Sequence, residues 1–215
     1  MQASKKKLEC ARESILVVKK NDLTTGNNSC AIFPAKMDEV FESISSKGLF
    51  MDRSVAENDE AYKQIIPYLV YQYKDSFFLM QRSNNCGEQR LRNCYALGIG
   101  GHVRESDLQN SQSILDWARR EFLEEVAFTG KYKPVFLGLI NDDSNAVGRV
   151  HLGLVFLLEG DSKNINIRSE LKSGKLVTLE ELEACKEELQ SWDRIILNHL
   201  ITLLEHKGKP RQAHL

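Results

Sequence analysis

The apolar positions fall into blocks whose period changes along the chain. IIPYLVYQY (65–73) is a β-rich run, and FFLMQR (77–82) follows it across a Lys74-Asp75 turn, which predicts a hairpin. YALGIGGHV (95–103) reads as a strand and turn punctuated by glycines. A helical period then takes over. Ile114, Ala118, Phe122 and Val126 recur every fourth residue, and Leu115 widens the stripe, so a helix is expected from about Ser111 to Val126. KPVFLGLIN (133–141) and RVHLGLVFLLE (149–159) read as strands. Leu179 to about Lys186 and Leu189 to Leu204 read as helices, with Trp192, Ile195, Ile196 and Leu200 as core positions.

The N-terminal part is patterned more thinly. Residues 12–20 read as a short strand and 21–29 as a turn or loop. Met37, Val40, Phe41 and Ile44 lie at helical spacing, with Gly48 as a stop. Residues 52–62 read as a polar linker, and 84–93, 104–112 and 142–148 as polar loops. This order predicts an α/β protein with a mixed sheet packed between helices. The expected division is an N-terminal extension of strand and helix (1–62), a main domain (63–206) and a polar tail (207–215).

Composition narrows the partners more than the fold. The 215 residues carry a formal net charge of -1, with 42% hydrophobic and 27% charged residues, as in ordinary globular chains. Such a balance exerts no global pull on nucleic acid or an anionic membrane. Cys10, Cys30, Cys86, Cys94 and Cys185 are odd in number and contain no CxxC spacing, the usage of reduced thiols in a cytosolic protein. The apolar run Ile15–Val18 is too short for a signal peptide, and no segment approaches the ~20 apolar residues of a membrane span. A cytoplasmic protein is expected, with no membrane and no nucleic-acid polymer as partner.

The candidate chemistry lies at the end of the central helix, in REFLEEVAF (120–128). Glu121, Glu124 and Glu125 are related by i+3 and i+4 and share a face, where like charges cost about 0.2–0.5 kcal/mol per pair. They also crowd the negative end of the helix, where an exposed carboxylate loses about 0.3–1 kcal/mol. A divalent cation reverses the sign of both effects, and Mg²⁺ prefers such oxygens. The alternative is a solvated acidic face compensated by Arg119 and Arg120. Just before the helix, Gly98, Gly100 and Gly101 allow backbone to approach a ligand without Cβ obstruction.

Together, Gly101 to Phe128 resembles the signature of the Nudix hydrolases: Gly, five residues, Glu, seven residues, Arg-Glu, an apolar residue, any residue, Glu-Glu, any residue, Gly and an apolar residue. The resemblance covers about residues 63–205 and implies a Nudix-like α/β/α sandwich. It also implies hydrolysis of a diphosphate linked to another group, often a nucleoside, with Mg²⁺ or Mn²⁺. The implied metal ligands are Glu121, Glu124, Glu125 and the carbonyl of Gly100 or Gly101. The implied base is Glu125 or Glu121, with a loop acid, Asp142 or Asp143, as the alternative. Arg120 would orient a glutamate. Three departures stand out. Counting back from Arg120 places Gln112 where the family has Glu. About five residues are inserted between Gly101 and Arg120, so that Glu105 or Asp107 could supply the acid by another route. Ala127 replaces a glycine, so the helix either exits differently or continues to Gly130.

Arg82, Arg90 and Arg92 precede the glycine strand where substrate is expected, and arginine suits bidentate phosphate contact. Arg82, Arg92 and His102 are the candidates for substrate binding. His151 could face either way on its strand, and Tyr71 and Tyr73 could stack a base or fill the core. Glu170 is a candidate outer acid. Cys86 and Cys94 invite comparison with an isomerase branch of the superfamily, but its surrounding pattern is absent. Two other readings follow: a catalytically weak or inactive nucleotide-binding module, motivated by Gln112 and Ala127, and an isomerase of an allylic diphosphate. Dimerisation is common for this fold, so a homodimer is allowed for.

Overall fold

The computed structural model describes residues 13–23, 31–82, 95–108, 113–168 and 171–208. The strands are β1 (Ser14–Lys19), β2 (Ala31–Phe33), β3 (Leu49–Asp52), β4 (Tyr62–Tyr73), β5 (Ser76–Arg82), β6 (Tyr95–Ala96), β7 (Gly98–Gly100), β8 (Val126–Phe128), β9 (Tyr132–Asn141), β10 (His151–Gly160), β11 (Ile165–Ile167) and β12 (Leu171–Thr178). The helices are α1 (Met37–Lys47), α2 (Arg53–Ala56), α3 (Glu105–Leu108), α4 (Ile114–Glu125), α5 (Ala146–Arg149), α6 (Leu179–Ala184) and α7 (Ser191–Gly208).

β4 organises the main sheet. Its apolar run leaves both faces buried, as in the interior strands of layered α/β proteins. It runs parallel to β10 from Gln64 to Tyr73. Along its other edge it pairs in turn with β1, β7 and β5. The path through the sheet is β12-β5-β4-β10-β9-β2. The β4–β5 hairpin forms as expected, with Lys74 taking the left-handed conformation (φ 52°) in its turn.

Each face of the sheet carries its own core. On one side α4 buries Ile114, Trp117, Ala118 and Phe122 against Leu69, Tyr71 and Phe156, and α1 adds Ile44. On the other, Leu182, Ile196 and Leu200 of α6 and α7 pack on Tyr68, Val70 and Val155. The result is the expected α/β/α sandwich.

The N-terminal segment is built into the sheet. β1 pairs with β3 and β4, and β2 pairs with the outer edge of β9. The expected linker at 52–62 contains the end of β3, the α2 turn capped by Asp52, and the first residue of β4, so the boundary at 62/63 falls inside a strand.

Helix α4 also corrects the expected helix end. Ser113 caps its start, accepting from the Leu115 N–H at 3.2 Å. Its last residue is Glu125, and Val126 is already extended (φ -127°, ψ 148°). Val126, Ala127 and Phe128 continue as β8, paired with Ile167, Asn166 and Ile165. Arg168 satisfies two carbonyls left at the exit: its N–H donates to Glu125 O (2.8 Å) and its Nε to Val126 O (3.1 Å). Ala127 needs no left-handed backbone, so the missing glycine carries no penalty; the left-handed glycine comes later, at Gly130 (φ 156°).

Candidate active site

Three elements meet at the expected site: the end of β7, the loop leading into α3, and the C-terminal half of α4. Gly98 and Gly100 are explained by packing, because side chains there would run into the Tyr68 ring. Gly101 is different. A Cβ on it would stand 2.5 Å from Glu121 Oε2 and closer still to Cγ and Cδ, so the Glu121 carboxyl lies directly against the glycine backbone.

The Glu121 side chain is 13% exposed, whereas that of Glu124 is 51% exposed and Glu125 is half-buried. Burial pushes the Glu121 carboxyl above the usual range, aided by the Glu124 charge and opposed by Arg120 and Arg104. Arg120 holds the cluster together: Nη1 donates to Glu121 Oε1 (2.8 Å) and Glu124 Oε1 (3.1 Å). Its other edge is bidentate to Asp107, with Nε to Oδ1 at 2.8 Å and Nη2 to Oδ2 at 2.9 Å. Burial weakens the Arg120 cation, but Asp107, Glu121 and Glu124 reverse that and hold its pKa above the ordinary value.

Counted forward from Gly101, Asp107 occupies the signature's acid position, and the extra residues fall after it. Counting back from Arg120 points to Gln112, which lies outside the described residues. Arg104 and Glu13 also escaped the sequence reading. Glu13 bonds Arg53 (Nη1 to Oε2, 2.9 Å) and Arg104 Nε, and Arg104 Nη2 lies 3.9 Å from Glu121 Oε1. No motif marks such a link, because Glu13 and Glu121 are far apart in sequence.

His102 follows Gly101, but its Nε2 is bound to Gln64 Oε1 (2.8 Å) and its ring lies 5.6 Å from that of His151. Burial first, then Arg53, His151 and Arg104, hold His102 well below the ordinary histidine value. His151 donates through its Nδ1–H to Val147 O (2.6 Å). Tyr71 is core: it packs on Phe122 and Phe128 and donates to Ser162 O (2.5 Å). Tyr73 is half-buried beneath Lys74.

Asp143 and Asp142 are tied into the β9–α5 turn. Asp143 pairs with Lys63 (2.5 Å) and Lys20 (2.8 Å), and Asp142 accepts from Ser144 and Asn145. Of Arg82 only the backbone, paired with Leu171 at the end of β5, is described. Arg90, Arg92, Cys86, Cys94 and Glu170 lie outside the described residues.

The donor set fits a hard divalent cation in kind: carboxylates at i, i+3 and i+4 on one helix, the first of them against backbone that a side chain would obstruct. Among the described residues, no group of three or more His, Cys, Asp or Glu side chains converges closely enough to hold a metal ion as they stand. Arg120 and Arg104 supply the compensating positive charge.

A glycine-lined loop and a carboxylate helix in an α/β/α sandwich define the class. No family model matches the chain. Tm1382, a proposed Nudix hydrolase of known structure, is 34% identical, with 89% of this chain and 100% of that one covered and a TM-score of 0.75. Protein YmaB of Bacillus subtilis (strain 168) is 32% identical over 177 residues, which span 77% of this chain and 84% of that protein. The NUDIX domain of Shewanella oneidensis NrtR, solved with ADP ribose, shares the fold at 15% identity, a TM-score of 0.53, and coverage of 66% and 88%. The chain belongs to the Nudix hydrolase family. It is an enzyme of the type that acts on acid anhydrides in phosphorus-containing compounds. Nudix hydrolases generally use divalent metal ions. No helix among the described residues is long and apolar enough to cross a membrane.

Proposed function

We propose that the protein hydrolyses the diphosphate linkage of a nucleoside diphosphate derivative or related organic pyrophosphate, in the cytoplasm, with Mg²⁺ or Mn²⁺. Glu121, Glu124, Glu125 and the Gly101 carbonyl hold the ion. A divalent ion bound to these oxygens would neutralise charge on the diphosphate and acidify a nearby water. Glu121 or Glu125 takes the proton, and Arg120 orients the carboxylates. Arg82, Arg92 and His102 are the proposed substrate contacts.

One observation carries the reading: the desolvated Glu121 carboxyl lies directly against the Gly101 backbone, and burial raises it above the ordinary carboxylate value, which makes it a stronger base. In contrast, the loop acids Asp142 and Asp143 are engaged by neighbouring side chains, which leaves them poor candidates for the base. Nucleotide-like substrates are favoured by the fold's likeness to a domain solved with ADP ribose.

The inactive-module alternative rested on Gln112 and Ala127. Asp107 now supports Arg120, and Ala127 sits in a strand. The test is a panel of diphosphate compounds assayed with Mg²⁺ and Mn²⁺ and resolved by product mass. Two phosphate-bearing fragments are expected. Ligand-induced thermal stabilisation without turnover would instead favour the binding module, and an isomer of unchanged mass the allylic diphosphate isomerase.

A further inference from the structure

β1 delivers the N-terminal segment to the site. The Leu16 N–H donates to Val103 O (2.8 Å), and Ile15 bridges to Arg104 across antiparallel backbone. Arg104 is then fixed on three sides. Its N–H donates to Asp107 Oδ2 (2.9 Å), its carbonyl accepts from the Asp107 N–H (3.0 Å), and its Nε donates to Glu13. Glu13 is itself braced, since its carbonyl accepts from the Arg53 N–H and its carboxylate from Arg53 Nη1.

What remains is the fork of Arg104. Its Nη2 lies 3.9 Å from Glu121 Oε1, beyond hydrogen-bond length. Among the described residues neither Nη group makes a hydrogen bond, and the side chain is 40% exposed. Arg120 differs, because Asp107, Glu121 and Glu124 take up all three of its nitrogens. A guanidinium held at Nε with both Nη groups open is preorganised for bidentate contact with a phosphate. Its neighbour Glu121 is the carboxylate whose charge the proposed ion would share.

We infer that Arg104 is a diphosphate-contacting residue and that Glu13 is the positioning residue that presents it, so that the N-terminal segment completes the site. This rests on the function proposed above and adds two residues to it.

Methylene diphosphonate, a non-hydrolysable diphosphate, provides the probe. Its binding is measured by calorimetry at fixed Mg²⁺ for wild type, Arg104→Gln, Arg104→Lys, Glu13→Gln and the Glu13→Gln/Arg104→Gln pair. Arg104→Gln should weaken binding about tenfold or more, and Arg104→Lys by at least about threefold, since the charge stays and the fork is lost. Glu13→Gln should weaken binding less and raise KM with little change in kcat. In the Arg104→Gln background it should add nothing, a non-additivity that a purely structural role would not produce. Binding by Arg104→Gln within twofold of wild type overturns the inference while the proposed function stands. If Arg104→Gln does not fold, wild-type affinity in Arg104→Lys overturns it equally. Wild type that neither binds the diphosphonate nor turns over the substrate panel removes the proposed function and this inference together.

Discussion

Gly101→Ala isolates the contact between the glycine loop and the proposed metal-site helix. The added methyl stands 2.5 Å from Glu121 Oε2, about 1 Å inside the ordinary ~3.5 Å contact distance. The Gly101 backbone is not in the left-handed region, so alanine brings no backbone strain of its own. The obstructing atoms are the end of a rotatable side chain, so Glu121 must swing away while the fold survives. Displacing a catalytic group by about 1 Å costs on the order of 100-fold in rate, about 2.7 kcal/mol of barrier. The assay is kcat on the best substrate of the panel, alongside thermal melting. A kcat reduced roughly 100-fold with Tm within a few degrees of wild type is expected. A kcat within twofold would refute the placement of Glu121 at the reacting centre.

Asp107→Asn should cost about 2 kcal/mol in urea unfolding by removing the anchor of a charge-assisted pair, and should lower kcat by loosening Arg120; unchanged values in both would contradict its role. Ala127→Gly restores the family glycine, yet it should destabilise by about 0.5–1 kcal/mol without raising activity, because the position is an extended strand residue. Asp143→Asn leaves Lys63, 2% exposed, without its carboxylate and should cost about 3–5 kcal/mol. Burial raises Asp143, but Lys20 and Lys63 outweigh it and hold its pKa below the ordinary 3.8. Its contribution is therefore full above pH 3.8 and is lost as pH falls toward the depressed value. Acid unfolding curves should show that component in wild type and lack it in the variant.

Strong local periods were legible in the sequence. The β4–β5 hairpin, the α4 stripe, β9, β10 and α7 each carry a pattern that one element can bury by itself. The short strands β2, β3 and β8 carry none, since three or four residues hold too few alternations and their pairing with β9, β1 and β11 is decided by distant chain. Val126 shows the ambiguity directly: it continues the helical stripe in spacing and is equally well buried as the first residue of a strand. Trp117 escaped because Ala118 beside it already accounted for the stripe, while a bulky ring widens the buried face. The carboxylates and Gly101 were readable from the motif. Asp107 was within reach once the spacing was counted from Gly101. The Glu13–Arg104 link was not, because only the pairing of β1 with the Val103–Arg104 backbone brings Glu13 to Arg104, beside Glu121.

The siting of the divalent ion on α4 is tested most directly by Mn²⁺ binding, followed by electron paramagnetic resonance. Glu121→Gln, Glu124→Gln and Glu125→Gln should be compared with wild type at equal protein concentration. Saturable binding by wild type, weakened at least about tenfold in each variant, is expected. Retention of wild-type Mn²⁺ affinity in all three variants would contradict a metal site on the α4 carboxylates.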